Sequence, residues 1–533
     1  MSTDNNNDNM REPQVVESGM EASTVKEKAA GAMKWSFVAQ LVNKFVSPLT
    51  QIVLAHILAP EAFGVVATIT MVTTFSQTLA DAGFQKYLIQ HEFRNAVEQK
   101  RSSNVAFWSN LAVALLIWAV VAVFREQIAS FAGSPGAGDS LAVACFSLPL
   151  NSFISVQLAL CQRLFNFELV FKVKLVAALL MALVAIPAAL LGFDYWSLIV
   201  GTLASDSCTA LLLLLKSSWR PDFCYSFSIL RSMLTFGLWS LSEALVLWAI
   251  SWVGIFVIGS SMSTFYLGIY KNSVSITNNL LSVIESSVMP VFYSGISRLQ
   301  TDRDALRSFF YVSQSALALF LLPVACGVVL LSNLAVIVLL GSQWLEGRTL
   351  ISWLALMISL RMLFCYMGNQ TLRAVGKPGF ITLICCIYLV IYIPFLCYCA
   401  SLRFEMFSVI VPCGYIPLIL IELVVLWKVI GLSPLAMLRR LVPIALNCIA
   451  PSAIVLVTLH FFNSVAVQFF CIPLFAAVYF FTTSCRESTR GILRSCLRRL
   501  GPRSIAEKAN QAIDAIVRLV TLIAGRSGGK ERA

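Results

Sequence analysis

The chain alternates between long apolar stretches and short polar gaps. Scanned in windows of about 20 residues, the length a helix needs to cross roughly 30 Å of hydrocarbon, it predicts about fourteen membrane-spanning helices. They fall near residues 35–58, 63–81, 105–124, 140–162, 173–192, 196–215, 233–259, 265–289, 309–331, 346–370, 380–400, 406–427, 441–460 and 465–483. The fold class is therefore an all-α polytopic membrane protein. The gaps on one side are short. The longest, around 125–139 with Ser-Pro-Gly-Ala-Gly at 134–138, leaves no room for a domain there. Residues 1–25 are polar, Asn-rich and acidic with no apolar h-region. That predicts no cleaved signal peptide and a disordered tail over 1–33.

Charge sets the expected orientation. Of 39 Lys and Arg residues, only Arg125, Arg403 and, at the edge of its span, Arg348 belong to the gaps of one side, and Lys44, Lys271 and Arg361 lie deeper inside spans; Lys174, at its span's edge, is counted with the alternate gaps. The other 33 lie in the alternate gaps and the two tails. Positive charge resists translocation, so the sequence predicts an inner-membrane protein, multi-pass, with both termini cytoplasmic. Composition agrees: 58% of residues are hydrophobic and 12% charged, where a soluble domain has about 25% charged. The net charge of +12 is expected to face anionic lipid headgroups. Nucleic acid is not an expected partner, because no folded basic domain is present.

Enzyme chemistry finds little support. The three histidines, His56, His91 and His460, are far apart, and neither an HExxH nor a Walker motif occurs. The 15 cysteines are scattered through apolar spans without a CxxC pair and read as small apolar filler. No cofactor or metal is expected. In the tail from 485 to 533, Arg486, Arg490, Arg494 and Arg498 recur every four residues, and 512–524 (AIDAIVRLVTLIA) reads as an interfacial amphipathic helix.

An internal repeat is visible. A shift of 204 residues carries Trp35-Ser36 onto Trp239-Ser240, Gly64 onto Gly268 and Asp81 onto Glu285. Six spans separate the copies, so both share one orientation, and two such halves are a transporter arrangement.

The stretch MKWSFVAQLVNKFVSPLTQIVLAHILAPEAFGVVATITMVTTFSQTLADAGFQKYLIQ at 33–90 resembles the opening of the polysaccharide-transport (Wzx-type oligosaccharide flippase) family. That family belongs to the multidrug/oligosaccharidyl-lipid/polysaccharide exporter superfamily. Leu54, Ala55, Leu58, Pro60, Phe63 and Gly64 match its turn, with His56 where Arg is common; Gly83, Phe84, Leu88, Ile89 and Gln90 match its close. PVFYSGISRLQTDRDALRSFF at 290–310, LLGSQW at 339–344 and LRAVGKP at 372–378 follow in order. The resemblance covers roughly 33–480. It implies two six-helix bundles, 34–220 and 221–430, in a MATE-like V-shaped arrangement with a cleft between them. Two additional helices follow at 431–484, and then a basic cytoplasmic tail at 485–533. It also implies flipping of polyprenyl-pyrophosphate-linked oligosaccharide repeat units for exopolysaccharide, capsule or O-antigen synthesis. Membrane lipids, a polysaccharide polymerase and a chain-length regulator are the implied partners. The rivals are a small-molecule or multidrug antiporter, which calls for an acidic rather than a mixed cleft, a lipid II flippase, and a membrane polysaccharide polymerase. The short outer gaps argue against the polymerase.

Ionisable residues inside a membrane mark functional sites by default. Lys44 lies near mid-membrane, accompanied by Gln40 and Asn43, and Arg361 lies near the middle of the tenth span. Each is a candidate for binding substrate phosphate or acidic sugar, or for a structural ion pair. Lys271 with Asn272, in the outer third of the eighth span, is a further substrate candidate, with snorkelling to the interface as the other reading. Asp206 and Glu243 are candidates for a coupling proton or for neutralising Lys44 or Arg361. Glu285 joins them as a coupling or ion-pair candidate. Asp81, Glu285 and Glu422 lie toward inner span ends, where contact with water is expected.

Overall fold

The computed structural model describes residues 46–217, 219–462, 464–500, 507 and 509–518. Among them there are helices and no strands. The chain packs as two units. The first comprises residues up to Leu58 and Val65–Trp248; the second comprises Ala59–Gly64 and Ala249 onward.

The first unit is built from α1 (Val46–Ile57), α2 (Pro60–Asp81), α3 (Phe84–Gln90), α4 (Ala96–Val123), α5 (Arg125–Phe131), α6 (Gly138–Ala144), α7 (Ser147–Arg163), α8 (Phe167–Leu190) and α9 (Trp196–Lys216). It also holds the first part of α10 (Phe227–Ser261). The first turn of α2 is counted in the second unit. There follow α11 (Thr264–Arg298), α12 (Arg303–Leu330), α13 (Ser332–Leu339), α14 (Arg348–Arg361), α15 (Met367–Ala374), α16 (Gly379–Ala400), α17 (Phe404–Ile410), α18 (Tyr415–Ile430), α19 (Pro434–Leu446), α20 (Ile449–Phe461), α21 (Val465–Cys485) and α22 (Glu487–Leu500).

Among the described residues twelve helical segments are long and apolar enough to cross a membrane, thirteen with α11 counted across its bend. Each coincides with an expected span. The expected first span, 35–58, is described only from Val46, as the shorter apolar helix α1. Hydrocarbon offers no water to the backbone, so each span satisfies its own peptide groups as a helix. The 48° bend of α11 between Ser286 and Val288 has a covalent cause. Pro290 lacks an N–H, and its ring crowds the carbonyl of residue 286.

Polar residues mark the helix ends. Asn95 accepts from Glu98 N–H (2.8 Å) while the Glu98 carboxylate accepts from Arg94 N–H (2.7 Å), a reciprocal cap for α4. Asp302 caps α12 through Asp304 and Ala305 N–H. In the first unit, Arg163 Nη1 donates to the carbonyls of Leu88, Ile89 and His91 (3.1, 3.2 and 2.6 Å), tying the end of α7 to the last carbonyls of α3.

In the basic tail, arginines that recur every four residues find partners within the protein. Arg486 Nη1 donates to Pro443 O, and Arg490 to Ser484 O and Cys485 O. These guanidiniums cap the ends of α19 and α21, because unsatisfied terminal carbonyls are stronger partners than bulk water at a membrane edge. Arg494 pairs with Asp514. The expected interfacial helix at 512–524 is helical over 512–518; its remainder lies outside the described residues.

Candidate functional site

Two polar sites lie within the apolar helices, one in each unit. In the first unit α2 carries polar side chains at helical spacing, Thr70, Thr74, Gln77, Thr78 and Asp81, which share one face. That face lines a cavity of about 450 Å³, completed by Gln85 and Lys86 of α3, Asn110 of α4, Asn151 and Ser155 of α7, and Ser240 of α10. Several of these groups hold one another. Asn110 Nδ2 donates to Ser155 Oγ (3.2 Å), Ser152 Oγ donates to Asn110 Oδ1 (3.1 Å), and Trp248 Nε1 donates to Thr74 Oγ1 (3.2 Å).

Two sequence candidates meet here. Glu243 Oε2 pairs with Lys86 Nζ at 3.1 Å, both about half-exposed. This is the partner the structure gives Glu243, where the sequence suggested Lys44 or Arg361. Lys86 follows the carboxyl end of α2 by only five residues, so the turn between α2 and α3 swings it toward α10. Asp206 of α9 is half-buried and stands near the cavity residue Asn151, whose Nδ2 donates to Ser147 O at 3.0 Å. Asp81 lines the cavity itself and accepts from Gln85 N–H at 3.4 Å.

The second site surrounds Arg361 at the end of α14. There the backbone widens into one π turn, Met362–Tyr366, before α15 resumes; such bulges frequently occur at functional sites. Gln314 Nε2 of α12 donates to the bulge carbonyl of Leu363 (3.1 Å). Arg361 Nη2 donates to Asn278 Oδ1 of α11 (2.9 Å), and its guanidinium carbon lies 4.9 Å from the ring centre of Tyr415 and 5.6 Å from that of Tyr366. Its Nε has no hydrogen-bond partner. Among the described residues no carboxylate is ion-paired with it. A half-buried cation held by aromatic faces and one amide oxygen, without an acid, is a ready anion receptor.

Glu422 of α18 departs from its expected contact with water. Its side chain is buried, 1% exposed, and neither carboxylate oxygen has a hydrogen-bond partner. It packs against Gly368 of α15, where any Cβ would meet its Oε1. The cause is lateral packing of α18 on α15 rather than depth: a residue near a span end is wet only if no neighbouring helix covers it.

Lys271 is held rather than snorkelling. Its Nζ sits 4.3 Å from the ring centre of Trp252, an aromatic face one helix away that replaces the interface as its partner. Glu285 is half-buried on α11 just before the bend. Lys44, Asn43 and Gln40 lie outside the described residues. The structure thus places Asp81 and Lys86 on one cavity, pairs Glu243 with Lys86, puts Asp206 near the lining residue Asn151, and sets Arg361 with Asn278, Tyr366 and Tyr415. The polar stripe on α2, and the i, i+4 pair Asn151 and Ser155 on α7, are the sequence signals of this cavity, and they carry little charge.

A third feature is apolar. A groove of about 580 Å³ in the second unit is lined by Phe320, Pro323, Val328 and Leu334 of α12 and α13 and by Phe469, Phe475 and Tyr479 of α21, among others.

The model of a family described as "Polysaccharide biosynthesis protein" matches residues 53–348. The chain is similar to the succinoglycan biosynthesis transport protein ExoT of Rhizobium meliloti (strain 1021), 27% identical over 324 residues, which are 60% of this chain and 64% of that relative. It is also similar to the lipopolysaccharide biosynthesis protein WzxC of Escherichia coli (strain K12), 20% identical over 364 residues, 67% of this chain and 69% of the relative. The matches thus span about two thirds of the length of these relatives. Among solved structures, lipid II flippase MurJ in an inward closed conformation has a TM-score of 0.69 at 12% identity, over 85% of this chain and 98% of that one, a likeness of fold.

Proposed function

Because this chain belongs to the polysaccharide biosynthesis protein family, we propose that it flips polyprenyl-pyrophosphate-linked oligosaccharide repeat units across the cytoplasmic membrane. The product would feed exopolysaccharide, capsule or O-antigen synthesis. The named roles of its relatives, succinoglycan transport and lipopolysaccharide biosynthesis, support this reading.

The observation that carries it is Arg361: a cation inside a membrane span with no acid paired to it among the described residues. Leaving a charge uncompensated there is costly, and a diphosphate is a matching counter-ion for a guanidinium fork. Lys44 enters the same proposal on its sequence position. The first unit's cavity offers amides and hydroxyls suited to sugar hydroxyls. The apolar groove of the second unit suits part of an isoprenoid chain. Asp206, Glu243 and Glu285 remain the candidates for coupling to an ion gradient; downhill removal of product is the other source of drive. A polymerase and a chain-length regulator are proposed partners on the outer side.

The carboxylates around the first unit's cavity favour one second reading, export of small organic cations. A single experiment separates the two. The purified protein is reconstituted into vesicles with a fluorescent lipid-linked oligosaccharide, and movement is read by access of a membrane-impermeant lectin. Faster exposure than in empty vesicles is expected, abolished in Arg361→Ala. No exposure above empty vesicles, with uptake of tetraphenylphosphonium instead, would overturn the flippase reading.

The proposed orientation has its own check. A reporter active only in the cytoplasm should be active when fused after Arg231 or Lys377 and silent when fused near Gly136 or Ser342.

A further inference from the structure

We infer that the first unit's cavity selects an uncharged sugar, with Asp81 as the specificity-determining residue; this rests on the flippase reading. The cavity has room for a sugar unit, at about 450 Å³. Its lining supplies groups that bind hydroxyls of either polarity: the amides of Gln77, Gln85 and Asn151 donate and accept, and the hydroxyls of Thr78 and Ser240 do both.

Charge decides what else can enter. Asp81 lines the cavity, and Asp206 stands near the lining residue Asn151. The lining's one cation, Lys86, is paired with Glu243 at 3.1 Å. A carboxylate therefore lines the cavity, and the ammonium of the lining already has a partner. A uronic acid placed here would bring another carboxylate, with no free cation among the described lining residues to meet it. Like charges about 5 Å apart at an effective dielectric of about 20 disfavour binding by roughly a hundredfold. A hydroxymethyl group at the same position donates to a carboxylate instead. Asp81 has acceptor capacity to spare, since the contact from Gln85 N–H at 3.4 Å occupies one of about four lone-pair sites on the two oxygens. The same argument excludes the diphosphate from this cavity.

The test uses the full chain in vesicles and two lipid-linked disaccharides that differ only at one terminal residue, galactose or galacturonic acid. The wild type should move the neutral glycolipid at least about tenfold faster, a ratio set below the full Coulomb estimate because the cavity is open to water. Asp81→Asn should reduce the ratio to within about threefold, since removing the charge removes the repulsion while keeping an acceptor. Equal rates for the two glycolipids in the wild type, or an unchanged ratio in Asp81→Asn, would overturn the inference and leave the flippase reading intact. If neither glycolipid moves, both fall. Asp81 also holds the turn to α3, so Asp206→Asn, which keeps a polar side chain near Asn151, provides a second arm. It must shift the ratio in the same direction, and no shift there also overturns the assignment.

Discussion

Gly64 of α2 and Gly268 of α11 meet backbone to backbone, and their contacts are reciprocal. A Cβ on Gly64 would collide with Thr264 O and lie 3.2 Å from Gly268 N; a Cβ on Gly268 would collide with Pro60 O and lie 3.0 Å from Gly64 N. The pairs Pro60 and Thr264, Gly64 and Gly268 are each 204 residues apart, the shift of the internal repeat. The repeat-related residues thus touch each other reciprocally. Small residues are what let two membrane helices approach this closely.

Gly64→Ala and Gly268→Ala should each therefore lower stability. The colliding atoms are backbone carbonyls, which cannot swing aside, so roughly 1–3 kcal/mol or more is expected from overpacking. Gly327→Ala, with nothing within 4 Å of the added carbon, should be tolerated. Midpoints of thermal unfolding in detergent, followed by size-exclusion of the folded fraction, check the contrast.

Gly368 and Glu422 should behave as a coupled pair. An added methyl at 368 collides with Glu422 Oε1, so Gly368→Ala alone should destabilise by roughly 1–3 kcal/mol. Glu422→Ala removes the colliding carboxyl, and the double variant Gly368→Ala with Glu422→Ala should be more stable than Gly368→Ala alone. Additive losses in the double-variant cycle would count against the packing described.

Arg361→Ala should abolish lectin-detected flipping while the protein is still inserted and folded. Arg361→Lys keeps the charge but loses the planar fork and should retain part of the rate. Asn278→Ala removes the side-chain oxygen that accepts from the guanidinium. It should weaken binding of the lipid-linked diphosphate by about tenfold, on the scale of one charge-assisted hydrogen bond. Competition by a short-chain lipid diphosphate measures all three.

The ion pair Lys86–Glu243 should contribute little to stability. Both side chains are about half-exposed, and such pairs couple by about 0–1 kcal/mol. The cycle of Lys86→Met, Glu243→Gln and the double variant should give a coupling below about 1 kcal/mol. A value of several kcal/mol would mean the pair is shielded from water in the working protein.

By itself the sequence determined the spans, the expected sidedness and the repeat. These are properties of local composition: a run of about 20 apolar residues must be a helix in hydrocarbon, and a 204-residue shift is legible without knowing what packs on what. It also singled out Arg361, because an ionised group in such a run is conspicuous. Partnership was decided by tertiary structure. Lys86 claimed Glu243, Asn151 stood beside Asp206, Trp252 held Lys271, and α15 covered Glu422. In each case the deciding atom came from another helix, at a sequence distance that hydropathy does not encode. The cavity of the first unit stayed hidden for the same reason. Its amides and hydroxyls are individually unremarkable within apolar spans, and only the packing of α2, α3, α4, α7 and α10 turns their separate faces to one space.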